Sequence, residues 1–121
     1  MERAAAHVRA IFAAFDAKDV AALAAFMTDD VRLRLGNAEM VAGKPAFVEA
    51  VNAFFGSVAR VRHDVIDVWN DGDVVIAELD VHYTRLDGRE VTVPCCNVFR
   101  LRDSSVAEYR TYIDVTPVYA P

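Results

Sequence analysis

Three ionisable side chains, Glu78, Asp80 and His82, occupy alternate positions of the run Val74 to Tyr83. Alternate residues of a β-strand point to one side, so the three share a face. A carboxylate beside an imidazole there is the raw material of general acid–base catalysis. Which further side chains join them depends on strand register. Asp-Gly pairs stand at 71–72 and 87–88, and such a pair at the tip of a two-residue hairpin fixes which residues face each other. With Asp87-Gly88 as a tip, Leu86 faces Arg89. Counting back sets His82 across from Val93, Asp80 from Cys95, Glu78 from Asn97 and Ile76 from Phe99. With Asp71-Gly72 as a tip, Asn70 faces Asp73, Trp69 lies beside Val74, Val65 beside Glu78 and His63 beside Asp80. Opposed residues share a face, their Cβ atoms about 5 Å apart. The expected face is therefore mostly apolar, holding Trp69, Val93 and Cys95 around Glu78, Asp80, His82, His63 and Asn97, which is the make-up of a small-molecule pocket. A three-residue loop at Asn70-Asp71-Gly72 would slip the first pairing by one and turn His63 away.

On the two-residue register, Asp80 fixes the tautomer of His63. The imidazole can then take a proton from carbon next to a carbonyl and return it to a leaving hydroxyl or a ring atom. Asp16, Glu78 or His82 would be the second acid–base group, and Asn97 or Tyr109 would steady a developing enolate oxygen. The alternative is a structural ion pair between His63 and Asp80, with Glu78 and His82 near a solvated mouth. Cys95 faces Asp80, but an imidazole one strand further away is about 10 Å distant, which argues against a cysteine nucleophile. Cys95 and Cys96, the only two cysteines, are neighbours that point to opposite faces, so neither a disulfide framework nor a zinc site is implied. No cofactor is expected.

The elements that must position these groups can be read from the pattern. At 121 residues the chain has the length of one domain with a single core. With 13 Lys and Arg against 18 Asp and Glu, the net charge is −5. An acidic chain without a basic stripe is a poor binder of nucleic acid or anionic membrane. No apolar run approaches a bilayer-spanning length, and Met-Glu-Arg lacks the layout of a secretory signal, so a cytoplasmic protein is expected.

Residues 4–17 repeat Val8, Ile11, Phe12 and Phe15 at helical spacing. Asp16 borders that apolar stripe and opposes the helix dipole in the last turn, so it is either an exposed acid at a frayed end or a residue with a purpose. Asp19 caps a second short helix carrying Leu23, Phe26 and Met27, closed by Thr28-Asp29-Asp30. Val31, Leu33 and Leu35 alternate with Arg32 and Arg34 as a half-buried strand. Gly43-Lys44-Pro45 opens a third helix, whose stripe runs from Phe47 to Phe55. Four long antiparallel strands follow, at about Val58–Trp69, Val74–Tyr83, Val91–Arg102 and Val106–Val115. Pro94 removes a ladder donor, so a bulge or a locally unpaired edge is expected there. In the last strand Tyr109, Thr111 and Ile113 share the more apolar face, and a three-residue loop at Asp103-Ser104-Ser105 would set them beside Asn97 and Cys95. Phe12, Phe15, Trp69 and Tyr109 are expected as core or pocket wall.

Three helices followed by a strongly bent, mainly antiparallel sheet make an α+β domain, with the helices on one face and a cone open at one end. On this register the outer face carries Leu79, Val81, Tyr83, Ile66 and Val68, more apolar surface than water tolerates, and a homodimer through that face is expected.

Over nearly its whole length the sequence resembles the nuclear transport factor 2-like superfamily, and within it the SnoaL-like polyketide cyclase group. The likeness is carried by FDAKDVAALAAFMTDDV, the Gly-Lys-Pro helix start, DGDVVIAELDV, GREVTVPCCNVFRLRD and EYRTYIDVTP. It implies the cone-shaped, cystatin-like fold. Against limonene epoxide hydrolases, Asp80 matches one member of an Asp-Arg-Asp triad, but Glu78 stands where the arginine belongs and Thr111 where the second aspartate belongs, so that hydrolysis is not implied. The same alignment places Glu78, Asp80 and His82 in the cavity. Scytalone dehydratases are similar in having an aspartate at the end of the first helix, as Asp16 is, histidines on the sheet, and an asparagine on the strand of Asn97. Bile-acid dehydratases pair such an aspartate with a sheet His-Asp pair, which His63 and Asp80 resemble. Ketosteroid isomerases share the fold and hold a carboxylic acid neutral in the same type of site. The resemblance thus implies a cofactor-free lyase, isomerase or cyclase acting on a small apolar ligand, with a non-catalytic binding or dimerisation module as the alternative.

Overall fold

The computed structural model describes residues 2–121, with side chains from residue 3 onward. Its elements are α1 (Glu2–Asp16), α2 (Val20–Ala25), β1 (Met27–Leu35), β2 (Val41–Ala42), α3 (Lys44–Ser57), β3 (Arg60–Asp71), β4 (Val74–Thr84), β5 (Glu90–Arg102), β6 (Ser105–Ile113) and α4 (Thr116–Tyr119). The strands form one curved, open sheet in the order β2-β1-β6-β5-β4-β3. Only β1 and β6 run parallel. The expected α+β architecture is what the chain adopts. Among the described residues, no helix is long and apolar enough to cross a membrane.

Met27 and Thr28-Asp29-Asp30, expected in and just after the second helix, begin β1 instead. Phe26 caps α2, and Val106 N–H donates to its carbonyl at 2.8 Å, which draws the chain directly onto the sheet. The end of α1 is also unusual. Lys18 takes a positive φ of 54°, and its ammonium donates to the carbonyls of Phe55 (2.9 Å) and Val58 (2.8 Å). It thereby satisfies acceptors left open at the end of α3 and ties the two helices together.

Burial decides which side of β4 faces the core. Val75, Ala77, Leu79, Val81 and Tyr83 are all buried, so Glu78, Asp80 and His82 lie on the outer face of the sheet. This corrects the inward placement expected for the three. Burying an aliphatic or aromatic side chain gains about 1.5–3 kcal/mol, whereas each buried charge costs several. Leu79, Val81, Tyr83 and Val68, expected outside, are accordingly core residues. Of that set only Ile66 is on the surface, 58 % exposed.

Two turns account for the shift in register. At the β4–β5 hairpin Arg85 N–H donates to Arg89 O at 2.8 Å, leaving Leu86-Asp87-Gly88 as a three-residue loop with Gly88 at φ +87°, a backbone region glycine occupies freely. The Asp87 carboxylate accepts from the Arg89 amide (3.1 Å) and from the guanidinium groups of Arg85 and Arg89, which holds it at the loop's centre. The pairing moves by one: Leu79 faces Cys95, Ala77 faces Asn97 and Glu78 faces Cys96. At the β3–β4 hairpin Gly72-Asp73 is the tip and Asp71 faces Val74. The Trp69 end of β3 therefore shares the outer face with Glu78. A bulge between Val65 and Asp67 then reverses the phase, and His63 faces Val81 instead of Asp80. Between β5 and β6, a two-residue Asp103-Ser104 turn plus a bulge at Arg100/Leu101 gives the offset expected of a three-residue loop, so Asn97 faces Thr111 and Cys95 faces Ile113. Pro94 lies in register opposite Asp80 without a bulge. Pairing with β6 starts only at Cys95, so the missing donor falls where β5 has a single neighbour.

Candidate functional site

The inner face encloses a cavity of about 210 Å³ between the sheet, α1, α3 and α4. Most of its wall is apolar: Phe15, Leu35, Phe54, Val81, Cys95 and Ile113 line it, with the tyrosines 83, 109 and 119. Three polar groups interrupt that wall, the His63 ring, the Asn97 carboxamide and the Thr111 hydroxyl.

His63 belongs to a dyad, but its partner is Asp16. The Asp16 carboxylate lies 2.6 Å from Nδ1 through Oδ1 and accepts the His63 backbone N–H at 3.1 Å on each oxygen. β3 is the edge strand, so that amide would otherwise have only water, and the acid at the end of α1 serves as its acceptor. The misplaced helical charge thus has its compensation on the neighbouring strand. Phe12 stacks flat on the imidazole, with centroids 4.6 Å apart and planes 8° from parallel. Phe15 meets it edge-on at 5.3 Å. Held on two sides, the ring is only 8 % exposed, while Asp16 keeps 27 % of its side chain open to solvent. With Nδ1 committed to the carboxylate, Nε2 is the nitrogen left for the cavity that the ring lines.

Across the cavity, Asn97 is 1 % exposed and its Oδ1 has no hydrogen-bond partner among the described residues. Thr111 Oγ1, directly opposite on β6, has none either. Buried polar atoms are paired in more than nine cases in ten, so two adjacent orphans facing one cavity mark a place where a ligand's polar group fits. Burial pushes the phenols of Tyr83 and Tyr109 above their ordinary range, leaving both protonated. The same cause raises the Cys95 thiol to about 12, which removes it as a thiolate nucleophile.

Of the residues expected at the site, Phe15, Cys95, Asn97, Tyr109, Thr111, Ile113 and His63 line this cavity, and Phe12 and Asp16 stand behind His63. Val93 is buried but is not part of the lining. Trp69 is 47 % exposed on the outer face, paired with Ile76. Asp80, Glu78 and His82 lie outside, where His82 Nδ1 and Thr92 Oγ1 are 2.7 Å apart and Asp64 is 3.7 Å from Nε2. Sequence reasoning missed Leu35, Phe54, Val81, Tyr83, Val115 and Tyr119. The unbroken aliphatic side of β4 was the available signal for Val81 and Tyr83. Pro117 behind Thr116, a helix-start pattern, was the signal for α4 and Tyr119. Among the described residues no cluster of three or more His, Cys, Asp or Glu side chains is arranged to hold a metal ion.

The chain thus wraps a curled sheet and its helices around an apolar cavity whose wall holds the His63 ring, with Asp16 behind it. Residues 8–109 match the model of the SnoaL-like domain, and the chain belongs to that family. A search of curated proteins finds no match. Among solved structures, an NTF2-like protein of unknown function from Burkholderia pseudomallei superposes with a TM-score of 0.90 at 16 % identity, over 100 % of both chains. A candidate polyketide cyclase from Xanthomonas campestris pv. campestris is 25 % identical, with a TM-score of 0.85 over 96 % of this chain and 93 % of that one. An LEH-like epoxide hydrolase of M. tuberculosis gives 0.80 at 21 % identity, over 96 % and 86 %. These likenesses fix the fold.

Proposed function

We propose that the chain is a cofactor-independent general acid–base enzyme of dehydratase, isomerase or cyclase type, acting on a small, largely apolar carbonyl or hydroxy compound bound in the cavity. The observation that carries this reading is the Asp16–His63 pair, with one ring nitrogen locked at 2.6 Å and the ring lining an apolar cavity. Asp16 accepts the Nδ1–H hydrogen bond and so leaves the Nε2 lone pair free. Nε2 takes a proton from carbon next to the substrate carbonyl, and the charge passes to the carbonyl oxygen as an enolate. The Asn97 amide N–H, the Thr111 hydroxyl or the Tyr109 phenol donates to that oxygen. The imidazolium formed is stabilised by Asp16 and returns its proton to a leaving hydroxyl or to another ring carbon. Glu78, Asp80 and His82 have no part in this scheme. The cavity lining contains no Lys or Arg, which favours neutral ligands over carboxylates and phosphates. Two comparison structures hold small molecules: one of ketosteroid isomerase-like fold from Catenulispora acidiphila is a complex with trimethylamine, and TerC was co-crystallised with polyporic acid. Both are in keeping with a cone that takes small ligands.

The test is hydrogen–deuterium exchange in D₂O, followed by NMR, at carbons next to the carbonyl in a panel of one- and two-ring ketones and β-hydroxy ketones. Wild-type protein is expected to accelerate exchange in at least one member, and His63→Ala to lose that acceleration while still binding the compound. A panel member that binds in the cavity with no accelerated exchange makes the chain a binding module and overturns the proposal.

A further inference from the structure

The turn after α1 is closed by a residue that does not suit it. Lys18 N–H donates to Phe15 O and Asp19 N–H to Ala14 O, both at 2.9 Å. That doubled pattern caps a helix with one left-handed residue, a place glycine usually takes. Here Lys18 takes it, at φ +54°, and a side chain with a Cβ is disfavoured in that conformation. Among the described residues the other non-glycine positions of positive φ are Asp103 and Ser104, where a two-residue hairpin turn calls for it. A cap alone would be better served by glycine, so the lysine side chain supplies something that glycine lacks. Its ammonium donates to Phe55 O at 2.9 Å and to Val58 O at 2.8 Å. Val58 is the C-cap of α3, and β3 starts at Arg60 just beyond it. Asp16, the last residue of α1, meets that same strand at His63. The end of α1 is thus fastened twice to one stretch of chain, by Lys18 at Val58 and by Asp16 at His63.

We infer that Lys18 is a positioning residue for the Asp16–His63 pair. A single fastening leaves a helix end free to pivot, whereas two fix its angle. Held at Val58, α1 ends where the Asp16 carboxylate reaches both Nδ1 and the backbone N–H of His63. Without that hold, Asp16 sits in a last turn that frays, and its carboxylate has to anchor its own helix as well as the ring. Aromatic packing crosses the same seam. Phe15 of α1 meets Phe54 and Phe55 of α3 edge-on, with centroids 5.8 and 5.4 Å apart, and the His63 ring at 5.3 Å, so Lys18 also keeps Phe15 against the imidazole. Lys18 itself is not part of the cavity lining and acts only through Asp16 and Phe15. Its left-handed backbone is strain retained for that placement. This role follows from the geometry of the pair and stands apart from the acid–base reading of its chemistry.

Two substitutions test it. Lys18→Met removes the ammonium and keeps the strained backbone, whereas Lys18→Gly removes the ammonium and relieves the strain, so that the second keeps the fold even if the first does not. Val31→Ala, at a buried position of β1 four strands away from β3, is the control for a general loss of stability. Long-range ¹H–¹⁵N NMR of the wild type should show His63 in the Nδ1–H form, with its amide exchanging slowly against water. Both Lys18 variants should show a mixture of tautomers and a His63 amide that exchanges about 10-fold faster or more. Val31→Ala should melt lower than the wild type with the His63 tautomer unchanged. Wild-type tautomer and wild-type amide exchange in the folded Lys18→Gly protein overturn the inference, and so does the same tautomer mixture in Val31→Ala. Neither readout needs a substrate. Wild-type protein inert toward every ketone that it binds therefore removes the acid–base reading and leaves this one, whereas unmoved His63 signals remove this one alone.

Discussion

Replacing Asp16 probes the site most directly, because its carboxylate does two jobs that a substitution can separate. It accepts the His63 ring at 2.6 Å and the His63 amide at 3.1 Å. Asp16→Ala leaves a ring N–H and an edge-strand N–H without a protein acceptor. A hydrogen bond to a charged group contributes about 1.5–3 kcal/mol, but Asp16 is 27 % exposed and water reaches the gap. The net loss should be about 2 kcal/mol, which lowers Tm by roughly 8 °C for a chain of this size. Asp16→Asn keeps an oxygen for the amide and should lose about half as much. It removes the charge that commits the ring to one tautomer, however. Long-range ¹H–¹⁵N NMR of His63 should show the Nδ1–H form in the wild type and a mixture in Asp16→Asn. Exchange activity should fall about 100-fold or more, with ligand affinity kept. If Asp16→Ala melts within about 1 °C of the wild type and the His63 tautomer is unchanged, the carboxylate neither supports the strand nor sets the ring, and the reasoning fails.

Two further outcomes follow from the cavity. The Tyr119 hydroxyl lies 2.7 Å from Ser57 Oγ, which itself donates to Phe54 O, and Tyr119 lines the cavity, so Tyr119→Phe should loosen α4 against it; ligand dissociation measured by stopped flow should quicken several-fold while Tm changes by about 2 °C or less. Burial raises Cys95 to about 12 and lifts Tyr83 and Tyr109 above their usual range. Between the ordinary thiol value near 9 and that raised value, the unfolded chain has released protons that the folded chain retains, so stability must decline as pH rises. Urea unfolding from pH 7 upward should show that decline beginning near 9, and Cys95→Ala should flatten its first part.

The fold was legible in the sequence because its signals are redundant. The stripes of α1 and α3 and the alternation of four long strands each recur many times, and a miscount of one residue changes none of them. The site depended on parity, where one residue decides everything. Asp87-Gly88 was read as a two-residue tip, yet the two flanking arginines bind Asp87 and make the loop one residue longer. That single residue set Cys95 and Asn97 on the face of the sheet that carries Leu79 and Ala77, and not on that of Asp80 and Glu78. They arrived in the cavity nonetheless, because the expected inner side of β4 was also the reverse of the true one and the two errors cancelled. For Glu78, Asp80, His82 and Trp69 nothing cancelled. Burial was the stronger guide there: five apolar residues on one side of β4 outweigh three ionisable ones on the other, whatever chemistry the latter suggest.

The bulge at Ile66 had no signature in the pattern, and it connects the two faces of the sheet. From Asp67 to Asp71, β3 keeps the phase in which Trp69 faces outward beside Ile76. Continued unbroken, that phase would set His63 opposite His82, outside, among the carboxylates of β3 and β4. One extra residue presents Ile66 to the outer surface and turns every residue before it, so that Val61 and Val65 face the core and His63 reaches the cavity and Asp16. Such insertions bend and twist a strand, and on an edge strand they cost little pairing because one side of the ladder is already open. The carboxylate at the end of α1 accepts the amide of the turned histidine itself, so the interaction that anchors the refolded edge is the one that orients the imidazole. Support of the strand and preparation of the base are the same set of hydrogen bonds, which is why Asp16 stands where a helix alone would disfavour an acid.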